Sequence, residues 1–392
     1  MTRSKRFWLF LLLVAACGSD SPAGGSGGTA VKVDNTCSGG KTLADSLLSA
    51  LGKDHLLIGA TMEDDIAAAA PFDIRYNYIA GGIATTSDPC GSCPCGSTNW
   101  WGCWQSPPGH TALFQIENAK ANHQIPMFSY YQINQSAGVG EGAALVTKAA
   151  DAVFMARYLK DWRFLLQTIG TEPVFLHVEP DFWGYAQGVN SDPTKIAAAV
   201  ASANGTDCSD KPDTIAGLGQ CMIAMVRKYA PNAKVGLHAS GWAVWPNGIS
   251  NSDSSADITT PTKALGAFLK ACGDADFIVA DISDRDAVAA GWWWNATNTK
   301  LPDFHQANQW ATILSEEMQR PVLWWQVPVG TGSRDNRLDY FFAHMDELAA
   351  SNVLGVAYGA GIGGQTTPST DGGNLVAKTK AYVALGGQKP CK

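Results

Sequence analysis

Charge is scarce in this chain. Of 392 residues, 28 are Lys or Arg and 35 are Asp or Glu, so only 16% are charged and the net charge is -7. That balance argues against a nucleic-acid partner, whose phosphates need clustered Lys and Arg. Phosphate-cradling motifs are missing as well: no G-x-G-x-x-G opens a helix after the first candidate strand, and no G-x4-G-K-[ST] occurs, so nucleotide-binding α/β folds lose support. H-x-H and H-E-x-x-H are also absent, and no metal or cofactor is expected. Beyond the N-terminus no segment is apolar enough to span a bilayer, no internal repeat is evident, and no linker after Ala30 divides the body.

The N-terminus is different. Met1 to Arg6 carries three basic residues, Phe7–Ala16 is an unbroken apolar run, and Cys17, Gly18 and Ser19 follow. A short basic segment before about ten apolar residues reads as an export signal, too short to cross the membrane as a helix. Val14-Ala15-Ala16-Cys17 resembles the lipobox of bacterial lipoproteins, which implies acylation of Cys17 and attachment to the cell envelope through that lipid. Residues 1–17 are therefore expected as signal peptide, 18–36 as a flexible Gly/Ser tether, and 37–392 as the working domain.

Cysteine and tryptophan are plentiful, at ten and fourteen. In an exported chain cysteines favour disulfides over metal. With Cys17 committed to lipid, nine remain. Cys208 pairs plausibly with Cys221 and Cys37 with Cys391; Cys90, Cys93, Cys95 and Cys103 suit a disulfide-knotted loop better than a zinc site; and Cys272 is the candidate buried free thiol. Tryptophan at this density suits surfaces that stack on sugar rings, apolar on their faces and polar at their rims.

Short apolar runs alternate regularly with longer amphipathic ones. Strands are expected at His55–Thr61, Asp73–Ile79, Pro126–Ile133, Val174–Pro180, Lys234–Ser240, Phe277–Ile282, Pro321–Val327 and Val353–Tyr358. Between and after them, helices are expected at Thr111–His123, Ala143–Ile169, Thr214–Tyr229, Thr262–Cys272, His305–Gln319, Asn336–Ala350 and Leu375–Leu385. Eight strand–helix units imply parallel pairing with right-handed crossovers, and a single-domain (β/α)8 TIM-like barrel. In that fold the loops after the strands carry the site.

The fourth strand ends in Phe175-Leu176-His177-Val178-Glu179-Pro180-Asp181-Phe182-Trp183-Gly184-Tyr185. Alternation along a strand predicts that His177, Glu179 and Asp181 share one face and enter the barrel mouth. The sixth strand brings Asp281 to the rim, and Glu63 ends the first, where it either reaches the site or caps the next helix. Acetal hydrolysis needs a proton donor and a second carboxylate that attacks or activates water. Glu179, Asp181 and Asp281 are the candidate catalytic acids. Trp183, Trp242, Trp245, Trp324 and Trp325 are candidate stacking walls, with His177, Tyr185, His238, Gln326 and Tyr358 as further substrate contacts.

Glu179-Pro180-Asp181, followed by Lys234-Val235-Gly236-Leu237-His238-Ala239-Ser240-Gly241-Trp242-Ala243-Val244-Trp245-Pro246-Asn247, resembles the glycoside hydrolase family 6 cellulases, in which an E-P-D strand end precedes S-G-W-x-x-W-P. The likeness spans about seventy residues, and only the second motif is specific. It implies a barrel acting on a β-linked glucan. That family also carries an acidic D-L-P-D-R-D-C-like loop after the preceding strand, where this chain has Tyr130-Tyr131-Gln132-Ile133-Asn134-Gln135-Ser136 without an acid. The proton donor then falls to Glu179 or its neighbouring acids. Other barrel glycosidases place a Glu nucleophile on the seventh strand, where Trp324-Trp325-Gln326 stands here. Two other functions suit the same residues: a metal-assisted esterase, deacetylase or phosphodiesterase built on His177, Glu179 and His238, and a non-catalytic glycan-binding lipoprotein.

Overall fold

The computed structural model describes residues 30–36, 40–85, 90, 100–244, 248–282, 301–330, 337–360 and 366–390. Cys17, Cys37, Cys93, Cys95, Trp245 and Cys391 lie outside the described residues.

Eight parallel strands close in sequence order into a barrel: β1 (Leu57–Ala60), β2 (Ile74–Ile79), β3 (Ile125–Tyr130), β4 (Phe175–Val178), β5 (Lys234–Ala239), β6 (Phe277–Ala280), β7 (Val322–Pro328) and β8 (Val353–Gly359). The chain is a single-domain (β/α)8 TIM barrel. Among the described residues, helices are α1 (Ala44–Ala50), α2 (Asp64–Ala69), α3 (His110–Ala121), α4 (Ile133–Ser136), α5 (Ala143–Lys148), α6 (Ala152–Ile169), α7 (Phe182–Val189), α8 (Ile215–Tyr229), α9 (Thr259–Ala271), α10 (Phe304–Met318), α11 (Arg337–Ala343), α12 (Met345–Ala350) and α13 (Asn374–Ala384). None is long and apolar enough to cross a membrane.

Two cores follow from strand alternation. Outward residues such as Leu176, Val178, Val235, Leu237, Ile278 and Trp324 pack under the helices. Inward ones, among them Leu57, Ile74, Phe175, Phe277, Val279 and Leu323, fill the barrel, and α1 adds Ala44, Leu47 and Leu48 to them. Gly236 leaves room for this filling, since a Cβ there would lie 2.5 Å from the Phe277 ring. The interior is apolar low in the barrel and polar higher up, where Ser129, His177 and His238 point in.

The helices show where local signals held and where they broke. The stretch expected as one helix over Ala143–Ile169 is two, because Asp151 caps a new helix by accepting from the N–H groups of Val153 and Phe154, each at 3.0 Å. Likewise α11 and α12 divide at His344. Residues 31–36, expected in the tether, belong to the folded body. Val31 and Val33 pack on the outer core, Lys32 N–H donates to Phe342 O at 2.8 Å, and Asp34 N–H donates to Gln388 Oε1 at 2.9 Å. Cys208–Cys221 and Cys90–Cys103 are disulfides, and Cys272 is a buried free thiol, its acidity suppressed by that burial.

Candidate active site

The strand ends carry an unusual backbone. Among the described residues, six other than glycine have positive φ. His123, Gln319 and Asn352 follow helix ends, where such angles are common, but Glu179 (49°), Asp181 (68°) and Gln326 (51°) stand at the C-terminal ends of β4 and β7. Left-handed conformations at such residues are strained and tend to persist where the surroundings impose them, often at functional sites. Here they re-aim side chains.

Consequently His177, Glu179 and Asp181 do not share a face, contrary to the alternation rule. His177 points into the barrel. Glu179 is turned out beneath the helices and buried: its Oε1 accepts from the N–H groups of Gln132 (3.0 Å) and Ile133 (3.2 Å), and the Tyr158 hydroxyl of α6, which donates to Met222 Sδ at 3.4 Å, lies beside it. Burial pushes its carboxyl up to about 8, against the opposing pull of those donors. Asp161, next to it on α6, is raised by burial to about 6 while serving Tyr130 and the indoles of Trp100 and Trp101. This outer network pins the β3 and β4 ends and the Trp100–Trp104 segment to α6.

Asp181 takes the third direction. It stands at the N-cap of α7 without capping it; its Oδ1 accepts from Trp242 Nε1 at 3.2 Å. Gly184 allows this approach, because a Cβ there would sit 2.7 Å from Ser240 Cβ and 3.0 Å from the Trp242 ring. The Tyr185 and Trp242 rings meet at 4.9 Å. Tyr185 donates to Glu141 Oε2 at 3.1 Å, and Asn134 Nδ2 donates to Glu141 Oε1 at 3.0 Å and to the Tyr131 hydroxyl at 2.6 Å. Burial, with the charges of Asp181 and Glu141, holds the Tyr131 and Tyr185 hydroxyls protonated far above the ordinary tyrosine range. The rim is thus two carboxylates, two tyrosines, an asparagine and a tryptophan. Glu141, Tyr131 and Asn134 were not expected from the sequence; Glu141 lies in a glycine-rich loop with no strand-end signature.

Below the rim runs a line of polar groups across three neighbouring strands and the end of a fourth. Ser129 Oγ lies 3.1 Å from His177 Nδ1, His177 Nε2 lies 3.0 Å from His238 Nδ1, and His238 Nε2 lies 3.6 Å from Asp281 Oδ1. The two imidazoles overlap at 5.1 Å, and Trp325 sets its ring edge-on to both, at 4.5 and 5.9 Å. Burial, together with His238, drives His177 well below the usual histidine range, so it is neutral. Asp281 is 13% exposed. Gln326 accepts from Tyr78 at 3.1 Å beside this floor. Among the described residues no group of three or more His, Cys, Asp or Glu side chains is placed to hold a metal ion.

The remaining expected contacts face elsewhere. Trp183 is fully buried and donates its Nε1 to Val178 O at 2.9 Å; Trp324 faces the helix layer against Trp310; and Tyr358 lies under α11 against Phe342. Neither tryptophan forms a stacking wall, and Tyr358, expected as a substrate contact, is buried in the outer core. Glu63 is exposed at the N-cap of α2 and makes no side-chain capping bond.

No protein-family model and no curated protein matches the chain. Among solved structures, a GH5 xyloglucan-specific β-1,4-glucanase from a ruminal metagenomic library is similar at 14% identity over 90% of this chain and 94% of that one, with a TM-score of 0.51. An endo-β-1,4-mannanase from Thermotoga petrophila matches at 13% identity over 86% and 78%, with a TM-score of 0.46. The endoglucanase Cel6 from Mycobacterium tuberculosis matches at 12% over 74% and 78%, with a TM-score of 0.35. At 14% identity the likeness to the glucanase agrees with the barrel alone, and the chemistry has to come from the chain's own residues.

Proposed function

We propose that this chain is a glycoside hydrolase that cleaves a polysaccharide at the barrel mouth, with Asp181 and Asp281 as its working carboxylates. The observation that carries the proposal is Asp181: a half-exposed carboxylate on a strained backbone, released from helix capping and set against the Tyr185–Trp242 pair. Aromatic faces beside an acid suit a pyranose ring. In this scheme Asp181 protonates the leaving glycosidic oxygen, and Asp281 attacks or activates water from the adjoining side. Glu179 acts through others, by holding the β3–α4 turn and the left-handed step that presents Asp181. The neighbouring solved structures are described as glucanases and mannanases, which agrees with a glycan substrate.

Export with a lipid on Cys17 belongs to the same proposal, supported by the Val14–Cys17 sequence and the apolar run before it. It would hold the enzyme at the cell envelope, facing polymeric substrate. Acyl-chain labelling that persists in Cys17→Ser would contradict it.

The test of function is reducing-sugar release from a panel of β-linked polysaccharides. Wild type should release sugar, and Asp181→Asn and Asp281→Asn should each lose about 10²–10⁴-fold in rate, the span of acid–base catalysis. Release by both variants at the wild-type rate would remove both residues from the mechanism.

A further inference from the structure

The line from Ser129 to Asp281 has a direction that matters for chemistry. Two imidazoles in hydrogen-bond contact, with His177 neutral, share one proton between His177 Nε2 and His238 Nδ1. If it sits on His177 Nε2, neutral His238 carries its own proton on Nε2, facing Asp281. In the opposite order His238 turns a bare lone pair toward the carboxylate.

We propose that His238 is the positioning residue for Asp281, with its tautomer dictated by His177 and Ser129, so that an N–H and not a lone pair faces Asp281 Oδ1. This inference rests on the assignment of Asp281 to the reacting site. In the active order Ser129 O–H donates to His177 Nδ1, His177 Nε2–H donates to His238 Nδ1, and His238 Nε2–H is directed at Asp281. The last separation, 3.6 Å, is too long for a hydrogen bond, and among the described residues His238 Nε2 and Asp281 Oδ1 have no partner. Buried polar atoms without partners are uncommon and call for a reason. A donor held just short of an acid can close on it as charge moves, without disturbing the resting site.

Among the described residues, few groups face the histidine pair. β3 contributes Ser129 and β6 Asp281, while Trp325 on β7 also packs on Tyr76 (5.9 Å) and Tyr78 (5.7 Å) of β2. Trp325 packs on both imidazoles and fixes their planes.

Histidine-labelled full-length protein, followed by long-range 1H–15N spectra, reads the tautomers with no mutation. Both rings should be Nε2-protonated at neutral pH, and His238 should keep that tautomer in Asp281→Asn, since His177 and Ser129 set it. On a cleaved glycan, His238→Asn should lower kcat about 10–100-fold with KM within about twofold and move the acidic limb of the rate profile upward. His238→Gln, which restores an N–H near the Nε2 position, should recover part of kcat. A resting Nδ1-protonated His238, a His238 tautomer that changes in Asp281→Asn, or an unmoved acidic limb in His238→Asn would each overturn the proposal. Wild type that cleaves no glycan would fail the function proposed above, while the tautomer measurement would still decide this one.

Discussion

The floor and the rim of the barrel mouth are both polar, and they are built in opposite ways. On the floor, Ser129, His177, His238 and Trp325 are buried and interlocked, fixed by strands whose register sets Ser129 beside His177. The rim is a set of residues from the loops and short helices that follow the strands, Tyr131, Asn134, Glu141, Asp181, Tyr185 and Trp242, half-buried or exposed and joined by side-chain hydrogen bonds. The strands therefore supply precision and the segments beyond them supply access. The carboxylates of the proposed reaction lie one in each region: Asp281 against the floor, Asp181 on the rim.

The largest way to break this comparison is to remove one acid from each region. Asp181→Asn and Asp281→Asn should abolish turnover to similar extents if floor and rim act in one reaction. A large loss in one with full activity in the other would separate them. A second break lies under the rim: Glu179→Ala strands the N–H groups of Gln132 and Ile133 in a buried site and should cost roughly 2–5 kcal/mol of stability, read by denaturant unfolding. Glu179→Gln sharpens the point. With its folded pKa raised from 4.5 to about 8, Glu179 binds its proton more tightly in the folded state. Its contribution to stability is complete below about pH 4.5 and is lost as pH rises through about 8, by at most about 1.4 kcal/mol per pH unit. The Gln variant should flatten that decline, and an unchanged slope would show that Glu179 is ionised.

Smaller effects separate stacking from hydrogen bonding on the rim. Trp242→Ala removes a ring and should raise KM about tenfold, near 1.4 kcal/mol, whereas Trp242→Phe keeps a ring, loses only the N–H to Asp181, and should act chiefly on kcat. Equal kinetics in the two would make Trp242 a packing residue. Glu141→Gln keeps the shape of the Tyr185 and Asn134 contacts and should change kcat by only about two- to fivefold, about 0.5–1 kcal/mol. A loss as deep as that of Asp181→Asn would promote Glu141 to a third working acid.

Most of the fold was legible in the sequence, because eight apolar runs of strand length, spaced by amphipathic segments, leave few other ways to bury both faces of each strand. What escaped were the short helices α1, α2, α4 and α7, too brief for periodicity to register, and the break at Asp151, which its N-cap chemistry could have signalled. The meeting of His177, His238 and Asp281 inside the barrel was legible, because strand alternation carries through to these residues. It failed at Glu179 because the left-handed turn there depends on the N–H groups of Gln132 and Ile133, nearly fifty residues earlier in the chain. Trp324 and Trp325 carried their own correction: neighbours on a strand face opposite ways, so only one could enter the barrel. Trp183 belonged to a helix unrecognised from pattern, and its indole was already committed to Val178.

A mouth that cleaves a glycan is told from one that only holds it by measuring binding and cleavage of one responsive polysaccharide side by side for wild type and Asp181→Asn, by calorimetry and by product release. Comparable affinity in both, with product from wild type alone, is expected. Wild type that binds the polysaccharide and releases nothing would rule out cleavage and leave a glycan-binding barrel in its place.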